Sequence, residues 1–414
     1  MRELPIEGAE PLWRQAISGA QILFVAFGAL VLVPLLTGLN PSMALLGAGV
    51  GTLLFQLVTG RQVPIFLGSS FAFIAPIIFS MQTWGPAATM GGMICVSLVY
   101  FLFAGLVWRH GADIVHKYMP PVVIGPIIMI IGLSLAAVAV NMAMGRSGDG
   151  KVELVPYTTS MFIAAASFGT TVVVATYARG FLKLVPILAG VLVGYMLSAT
   201  IGLVDFGKIA AAPWIALPQF TAPRFEWAAI LFLLPVALAP AIEHVGDIVA
   251  IGGVTGKDYT ERPGLHRTLA GDGLAVAFAG LIGGPPVTTY SEVTGAVTLT
   301  RNFNPAIMTW AAVLAVVMAF FGKFNAILQS IPVPVMGGIM MLLFGSVASI
   351  GLKTLIAARV DLEEPRNLVI VSSVLVFGIG GLALKLDGVA LQGVSLCGLA
   401  AVLLNFVLPK KRVS

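Results

Sequence analysis

Pro285-Pro286-Val287-Thr288-Thr289-Tyr290-Ser291-Glu292-Val293-Thr294-Gly295 interrupts an otherwise membrane-like run of sequence. Apolar residues lead in through Gly283 and Gly284. Two prolines then remove backbone donors and forbid a continuous helix. Hydroxyls, an aromatic ring and a carboxylate follow before the helical pattern resumes. Irregular backbone at membrane depth survives only where protein buries it or where it lines a cavity. A span broken in this way, whose second half begins beside a carboxylate, reads as a ligand site.

The surroundings agree. Hydrophobic residues make up 58% of the 414 residues and charged residues 10%, whereas about a quarter of a soluble domain is charged. Apolar segments long enough to cross roughly 30 Å of hydrocarbon recur along the whole chain. The class is therefore all-α and polytopic in a membrane, with lipid as its solvent. The start carries Glu3, Glu7 and Glu10 without a basic region or a small-residue cleavage site, so no signal peptide is expected.

Several other classes drop out. The formal charge of +5 is spread through short loops, not gathered on one face, so no nucleic-acid partner is expected. Cys95 and Cys397 lie in apolar segments as core thiols. His110, His116, His244 and His266 show no metal-ligand spacing with them, so neither metal nor cofactor is expected. Gly252-Gly253-Val254-Thr255-Gly256-Lys257 has a phosphate-loop outline, but Asp258 stands where Ser or Thr belongs. No nucleophile–base pair appears, so the chain reads as a non-enzyme with no catalytic residues.

Hydropathy predicts fourteen segments: 15–37, 41–59, 63–80, 88–108, 118–141, 158–178 and 182–203, then 226–254, 267–283, 287–301, 305–322, 332–351, 366–384 and 389–408. With the N-terminus inside, the cytoplasmic side takes Arg2, Arg14, Arg61, Arg109, Lys117, Arg179, Lys183, Lys257, Arg262, Arg267, Arg301, Lys353, Arg359, Arg366 and the Lys410-Lys411-Arg412 tail. The opposite side takes Arg146, Lys151, Lys208, Arg224, Lys323 and Lys385. That bias places both termini in the cytoplasm. The halves also echo each other. Pro121, Gly125 and Gly132 recur as Pro334, Gly338 and Gly345 at one offset of 213 residues. Seven segments per half is odd, so the second copy enters from the opposite face, giving a 7+7 inverted repeat.

Most carboxylates lie in loops, but Glu243, Asp247 and Glu292 do not. On a helix Glu243 and Asp247 share a face at i and i+4, while His244 is turned about 100° away. An ionised carboxylate at the membrane centre costs at least ~2.5 kcal/mol. Two on one face also repel, so one of the pair is a candidate proton carrier, with His244 beside them. A solvated Asp247 near the cytoplasmic end is the plainer alternative. Asp272, after Arg267, is expected to be a structural partner near the membrane surface. Half-helices meeting from the two repeats would offer backbone donors near Phe73 and Ser291 to ligand carbonyls. Glu243 and Glu292 would accept from ligand N–H groups. A small planar ring with alternating N–H and C=O meets both demands, and an inorganic anion does not.

Five stretches, in order, carry a resemblance. They are Phe27-Gly28-Ala29-Leu30-Val31-Leu32-Val33-Pro34, Leu67-Gly68-Ser69-Ser70-Phe71-Ala72-Phe73, Glu243-His244-Val245-Gly246-Asp247, Pro263-Gly264-Leu265-His266-Arg267, and Glu292 with Gly295 ending in Thr300-Arg301. Together they resemble the nucleobase–ascorbate transporter (nucleobase–cation symporter 2) family, in particular its bacterial uracil permease branch. The resemblance implies short antiparallel strands breaking spans 3 and 10. It implies a core domain of residues 1–110 and 226–325 and a gate domain of 111–225 and 326–414. It further implies uracil as substrate, proton symport across the cytoplasmic membrane and a homodimer through the gate domains. Carried over by position, Glu243 and Glu292 bind the base with Phe73 and Ser291 assisting, and Ala29, Tyr290 and Phe344 line the pocket. The chain departs from the family pattern at Val293, Ser291, Ile22, Phe344 and Asp247. A purine such as xanthine or urate is the alternative substrate within the family. An anion transporter or channel of the same architecture is the alternative outside it.

Overall fold

The computed structural model describes residues 11–112, 119–386 and 389–409. Arg2, Glu3, Glu7, Glu10, His116, Lys117, Lys410, Lys411 and Arg412 lie outside the described residues. Helix dominates, because long apolar runs without water must satisfy every backbone group within the segment. Seven of the described helices are long and apolar enough to cross a membrane.

The first half opens with α1 (Leu12–Thr37), stopped by Gly38 in the left-handed conformation, and α2 (Pro41–Val58). Asn40 starts α2 by accepting from the Ser42 N–H, with Pro41 at the first helical position. Strand β1 (Leu67–Ser69) and a 3₁₀ turn (Phe71–Phe73) then lead into α3 (Ile74–His110). Helices α4 (Pro121–Ser134), α5 (Ala136–Ala143), α6 (Tyr157–Tyr177), α7 (Pro186–Thr200) and the short α8 (Phe206–Ala211) complete this half.

The second half runs α9 (Trp227–Leu233), α10 (Leu238–Thr255), α11 (Leu265–Ile282), β2 (Val287–Thr289) and α12 (Ser291–Thr300). It continues through α13 (Ala306–Ala319), α14 (Gly322–Gln329), α15 (Val333–Ala357) and α16 (Pro365–Ile379). A hairpin of β3 (Ala383–Leu386) and β4 (Val389–Gln392) precedes α17 (Gly393–Val407). Between segments 63–80 and 88–108, α3 is broken into two helical limbs by the non-helical backbone of Gly85, ahead of Pro86. One boundary differs from the hydropathy reading. The stretch read as the end of one segment and the start of the next, around 383–392, is the hairpin.

Packing sorts the helices into two groups. In one, α11 lies against α2 and α3, α13 against α1 and α2, and α9 against α3. In the other, α15 lies against α4, α5 and α6, α6 against α7, and α16 against α4 and α17. Glycines allow the closest approaches. A Cβ at Gly132 would sit 2.3 Å from the Phe344 carbonyl oxygen, and one at Gly351 2.5 Å from that of Gly125. Small residues that let backbones touch are the means of helix association where lipid offers no hydrophobic drive. Large apolar side chains such as Trp108, Phe162, Met196 and Leu403 face outward, as a lipid-facing surface requires.

Candidate functional site

The two strands meet inside the first helix group. Leu67 pairs with Thr289, Gly68 with Thr288 and Ser69 with Val287, in antiparallel register. The Ser70 N–H donates to the Pro286 carbonyl at 2.9 Å and the Tyr290 N–H to that of Phe66 at 3.2 Å. Pro285 and Pro286 stop α11 from running on, and the β-branched Val287-Thr288-Thr289 favours extended backbone. Pairing satisfies the exposed strand groups that apolar surroundings could not. Two helices, α3 and α12, therefore start close to one crossing.

Side chains then secure β2. Consecutive strand residues point to opposite sides. The Thr288 hydroxyl accordingly donates to Asp272 Oδ2 at 3.2 Å, and the Thr289 hydroxyl to Asp247 Oδ2 at 2.7 Å. Ser291 Oγ donates to the other oxygen of Asp247 at 2.5 Å. Tyr290 reaches back across the crossing and donates from its hydroxyl to the Ser69 carbonyl at 2.8 Å. Its ring lies over Gly68, where a Cβ would meet a ring carbon at 2.4 Å, and stacks on Phe71 at 6.4 Å. Only glycine fits beneath that ring.

Around the crossing is a cavity of about 50 Å³. One side is Ser69, Ser70, Phe71 and Ala72 together with Thr288 to Glu292, and Glu243 of α10 joins them. Opposite stand Ile128 of α4, with Ile131, and Val347 and Ile350 of α15, so the cavity lies between the two helix groups. Glu243 is half-buried. Glu292, at the start of α12, is exposed and lines the same cavity. In chemical terms, two carboxylates, hydroxyl groups and two aromatic rings surround a space that apolar side chains close.

The structure thus brings Glu243, Glu292, Tyr290 and Ser291 together. It does not bring Phe73, Ala29 or Phe344 to the wall. Phe73 is buried with its N–H donated to the Ser70 carbonyl, and its neighbours Phe71 and Ala72 line the cavity instead. Ala29 is buried on α1, while the adjacent Leu30 carbonyl accepts from Ser69 Oγ. Phe344 packs with Leu32, Val33 and Ile74, and Val347 and Ile350 further along α15 reach the cavity. Asp247 is not at a solvated helix end; it is buried against β2. Asp272 is a structural partner inside the fold. It is wholly buried, 3.1 Å from His244 Nδ1. His244 itself is turned from the cavity toward α11, as its 100° offset from Glu243 requires. The apolar wall and Gly68 escaped sequence reasoning. The alternating hydroxyls of Thr288 and Thr289 were the available signal for β2's two carboxylate partners.

Residues 14–387 match the Permease family known as Xan_ur_permease. The chain is 57% identical to a probable uracil permease of Pasteurella multocida, over 96% of this chain and 94% of that one. It is 42% identical to the uracil permease of Bacillus subtilis, over 95% and 92%. With the uracil permease of Escherichia coli K12 the identity is 37%, over 98% and 94%. Among solved structures, the transmembrane domain of a cyanobacterial bicarbonate transporter, BicA, superposes with a TM-score of 0.62 at 15% identity, covering 95% of this chain and 97% of that one. The murine anion transporter Slc26a9 in an inward-facing state superposes at 0.71 and 11% identity, covering 97% and 69%. These two likenesses show a transporter fold and nothing of the substrate. On the sequence match and the helical architecture together, this chain belongs to the nucleobase–ascorbate transporter family and is a multi-pass membrane permease.

Proposed function

We propose that this permease imports uracil with protons across a bacterial cytoplasmic membrane by alternating access. The observation that carries the reading is the convergence of Glu243 and Glu292 on one cavity where β1 and β2 cross. A pyrimidine ring presents N–H donors and carbonyl acceptors around its edge. The two carboxylates can accept from the donors, hydroxyl and helix-start N–H groups can serve the carbonyls, and Tyr290 and Phe71 offer ring faces. Fixed carboxylates oppose an inorganic anion, which argues against the substrates of the two structural neighbours. The relatives named as uracil permeases support a pyrimidine over a purine.

A cavity of about 50 Å³ has room for a few water molecules, not for a base. Uracil therefore enters when α4 and α15 draw away from the crossing. In this reading the first helix group is the core domain, residues 1–110 and 226–325. The second is the gate domain, 111–225 and 326–414. Fourteen segments form the 7+7 inverted repeat, β1 and β2 interrupt spans 3 and 10, both termini are cytoplasmic, and gate domains pair in a homodimer. Asp247 has both oxygens taken by hydroxyl donors, whereas Glu243 opens on the cavity. We assign the travelling proton to Glu243, and a supporting part to Asp247 and His244.

Thermal unfolding of the solubilised protein with uracil, thymine, xanthine and urate tests the substrate. Uracil at a hundred times its Kd should stabilise the fold by about 2.7 kcal/mol. Glu243→Ala and Glu292→Ala should remain folded and lose that response. Stabilisation by xanthine or urate but not uracil would overturn the reading. In proteoliposomes, acid outside should drive uracil inward, because the base enters with a proton. Uptake indifferent to the pH gradient would remove the proton from the scheme.

A further inference from the structure

Deeper in the first helix group than the cavity lies a second polar cluster, which base binding does not itself use. Asp272, His244 and Tyr100 are all wholly buried, and none is in the cavity wall. Asp272 Oδ2 accepts from the Thr288 hydroxyl at 3.2 Å and lies 3.1 Å from His244 Nδ1. Tyr100, on α3, faces the same Thr288 and Asp272. Four buried polar atoms here, Asp272 Oδ1, both ring nitrogens of His244 and the Tyr100 hydroxyl, make no well-aligned hydrogen bond among the described residues. His244 Nδ1 keeps only its 3.1 Å ion-pair contact with Asp272. Burying polar atoms so is costly, and a native structure that does it four times in one place calls for a reason.

The surrounding sequence is built to enclose this cluster. Glycines flank Asp272 on both sides. A Cβ at Gly271 would lie 2.9 Å from the Phe55 ring, and one at Gly273 3.0 Å from Tyr100 Cβ. The Gly271-Asp272-Gly273 run therefore lets aromatic side chains from α2 and α3 close over the carboxylate. The His244 ring in turn meets Phe55 edge-on at 6.2 Å.

We propose that Asp272 is a positioning residue for substrate binding, acting through Thr288 on β2 and through His244 on α10. Thr288 ties β2 to α11, while Thr289 ties it to α10, so the strand is held between two helices. His244 follows Glu243 directly and points about 100° away. Anchoring His244 on α11 therefore keeps Glu243 turned to the cavity. Together the two ties fix the aim of Glu243 relative to Glu292, which starts α12 just beyond the strand. The inference rests on the uracil reading for its ligand, but not for its geometry.

The experiment measures equilibrium binding of labelled uracil to purified Thr288→Val, Thr288→Ser, Asp272→Asn and the double variant T288V/D272N. Should the wild type bind a different base of the panel, that base is the probe, and the substrate reading alone falls. T288V should weaken binding about tenfold, the size of one lost buried hydrogen bond. T288S, which keeps the hydroxyl, should restore it to within about threefold. The double variant should bind no more weakly than the weaker single variant, because both changes cut the same tie. Wild-type affinity in T288V, or a lowered thermal midpoint with affinity unchanged, would overturn the proposal. So would losses in T288V and D272N that multiply in the double variant. If T288V does not fold, D272N decides the same question alone: weakened binding supports the proposal, and wild-type affinity in D272N would overturn it.

Discussion

Asp247 shows how a buried carboxylate is retained by the donors around it. Both of its oxygens are occupied, one by Thr289 and one by Ser291, and the residue is buried. Replacing it with Ala would leave two hydroxyls without an acceptor. Each unsatisfied group costs about 1–3 kcal/mol, so Asp247→Ala should destabilise by roughly 2–5 kcal/mol. Asp247→Asn keeps one acceptor oxygen and should cost about half as much; thermal unfolding in detergent compares them, and equal costs would refute the two-donor account. The shared face of Glu243 and Asp247 was readable from their i, i+4 spacing. So was the separation of His244 from them. Asp272 was not readable, because its depth depends on Phe55 and Tyr100 closing over flanking glycines from other helices. Ala29 and Phe344 came from positional correspondence with the family, which does not report how each helix is rotated here, and the Phe73 N–H expected from half-helix geometry is donated to the Ser70 carbonyl.

At the scale of elements, α3 is two helical limbs whose relative direction is set by one backbone conformation. Gly85 adopts φ 83° and ψ 170°, and Pro86 follows it. That region is essentially open to glycine alone, at a cost of about 1–3 kcal/mol for other residues. Nothing lies within 4 Å of a Cβ placed there, so any penalty comes from the backbone and not from a clash. Gly85→Ala should therefore lower stability by about 1–3 kcal/mol, with uracil affinity unchanged. A loss of affinity as large as the loss of stability would show that the bend positions the site. Ser80 and Thr89 hydrogen-bond across the bend at 2.8 Å, which holds its two limbs together. Hydropathy separated these limbs because Gly85 and Pro86 lower the apolar signal, and the non-helical backbone at Gly85 divides them at the same place. The strands at the crossing are three residues long and satisfy each other across more than two hundred positions. No local pattern announces that pairing; only the prolines and β-branched residues mark where it can occur.

For the whole molecule, the question is how two tightly packed helix groups can move past one another. Their closest backbone approaches are mostly internal. A Cβ at Gly49 would meet the Ala312 carbonyl at 2.6 Å within the first group, and Gly125 and Gly351 touch within the second. The constant offset of 213 residues between Pro121, Gly125 and Gly132 and their counterparts carries no information on which helices share a group. Gly28 differs from these glycines because it lies between groups. A Cβ on this α1 residue would sit 2.7 Å from Ile187 Cγ2 on α7. If transport moves one group against the other, a wedge here should bias the closed arrangement toward a more open one. Gly28→Val adds three carbons against Ile187, and overpacking of this kind costs about 1–3 kcal/mol. A shift of 1.4 kcal/mol in a rate-limiting step is about tenfold. Uracil transport by G28V should thus fall roughly tenfold, while equilibrium affinity stays level or improves because the closed state is the one penalised. Ile187→Ala in the same protein removes the opposing branch and should restore most of the rate. Counterflow in proteoliposomes, paired with binding to the solubilised protein, separates these quantities. Unchanged transport in G28V, or no recovery with I187A, would mean that this contact does not lie on the path of the motion.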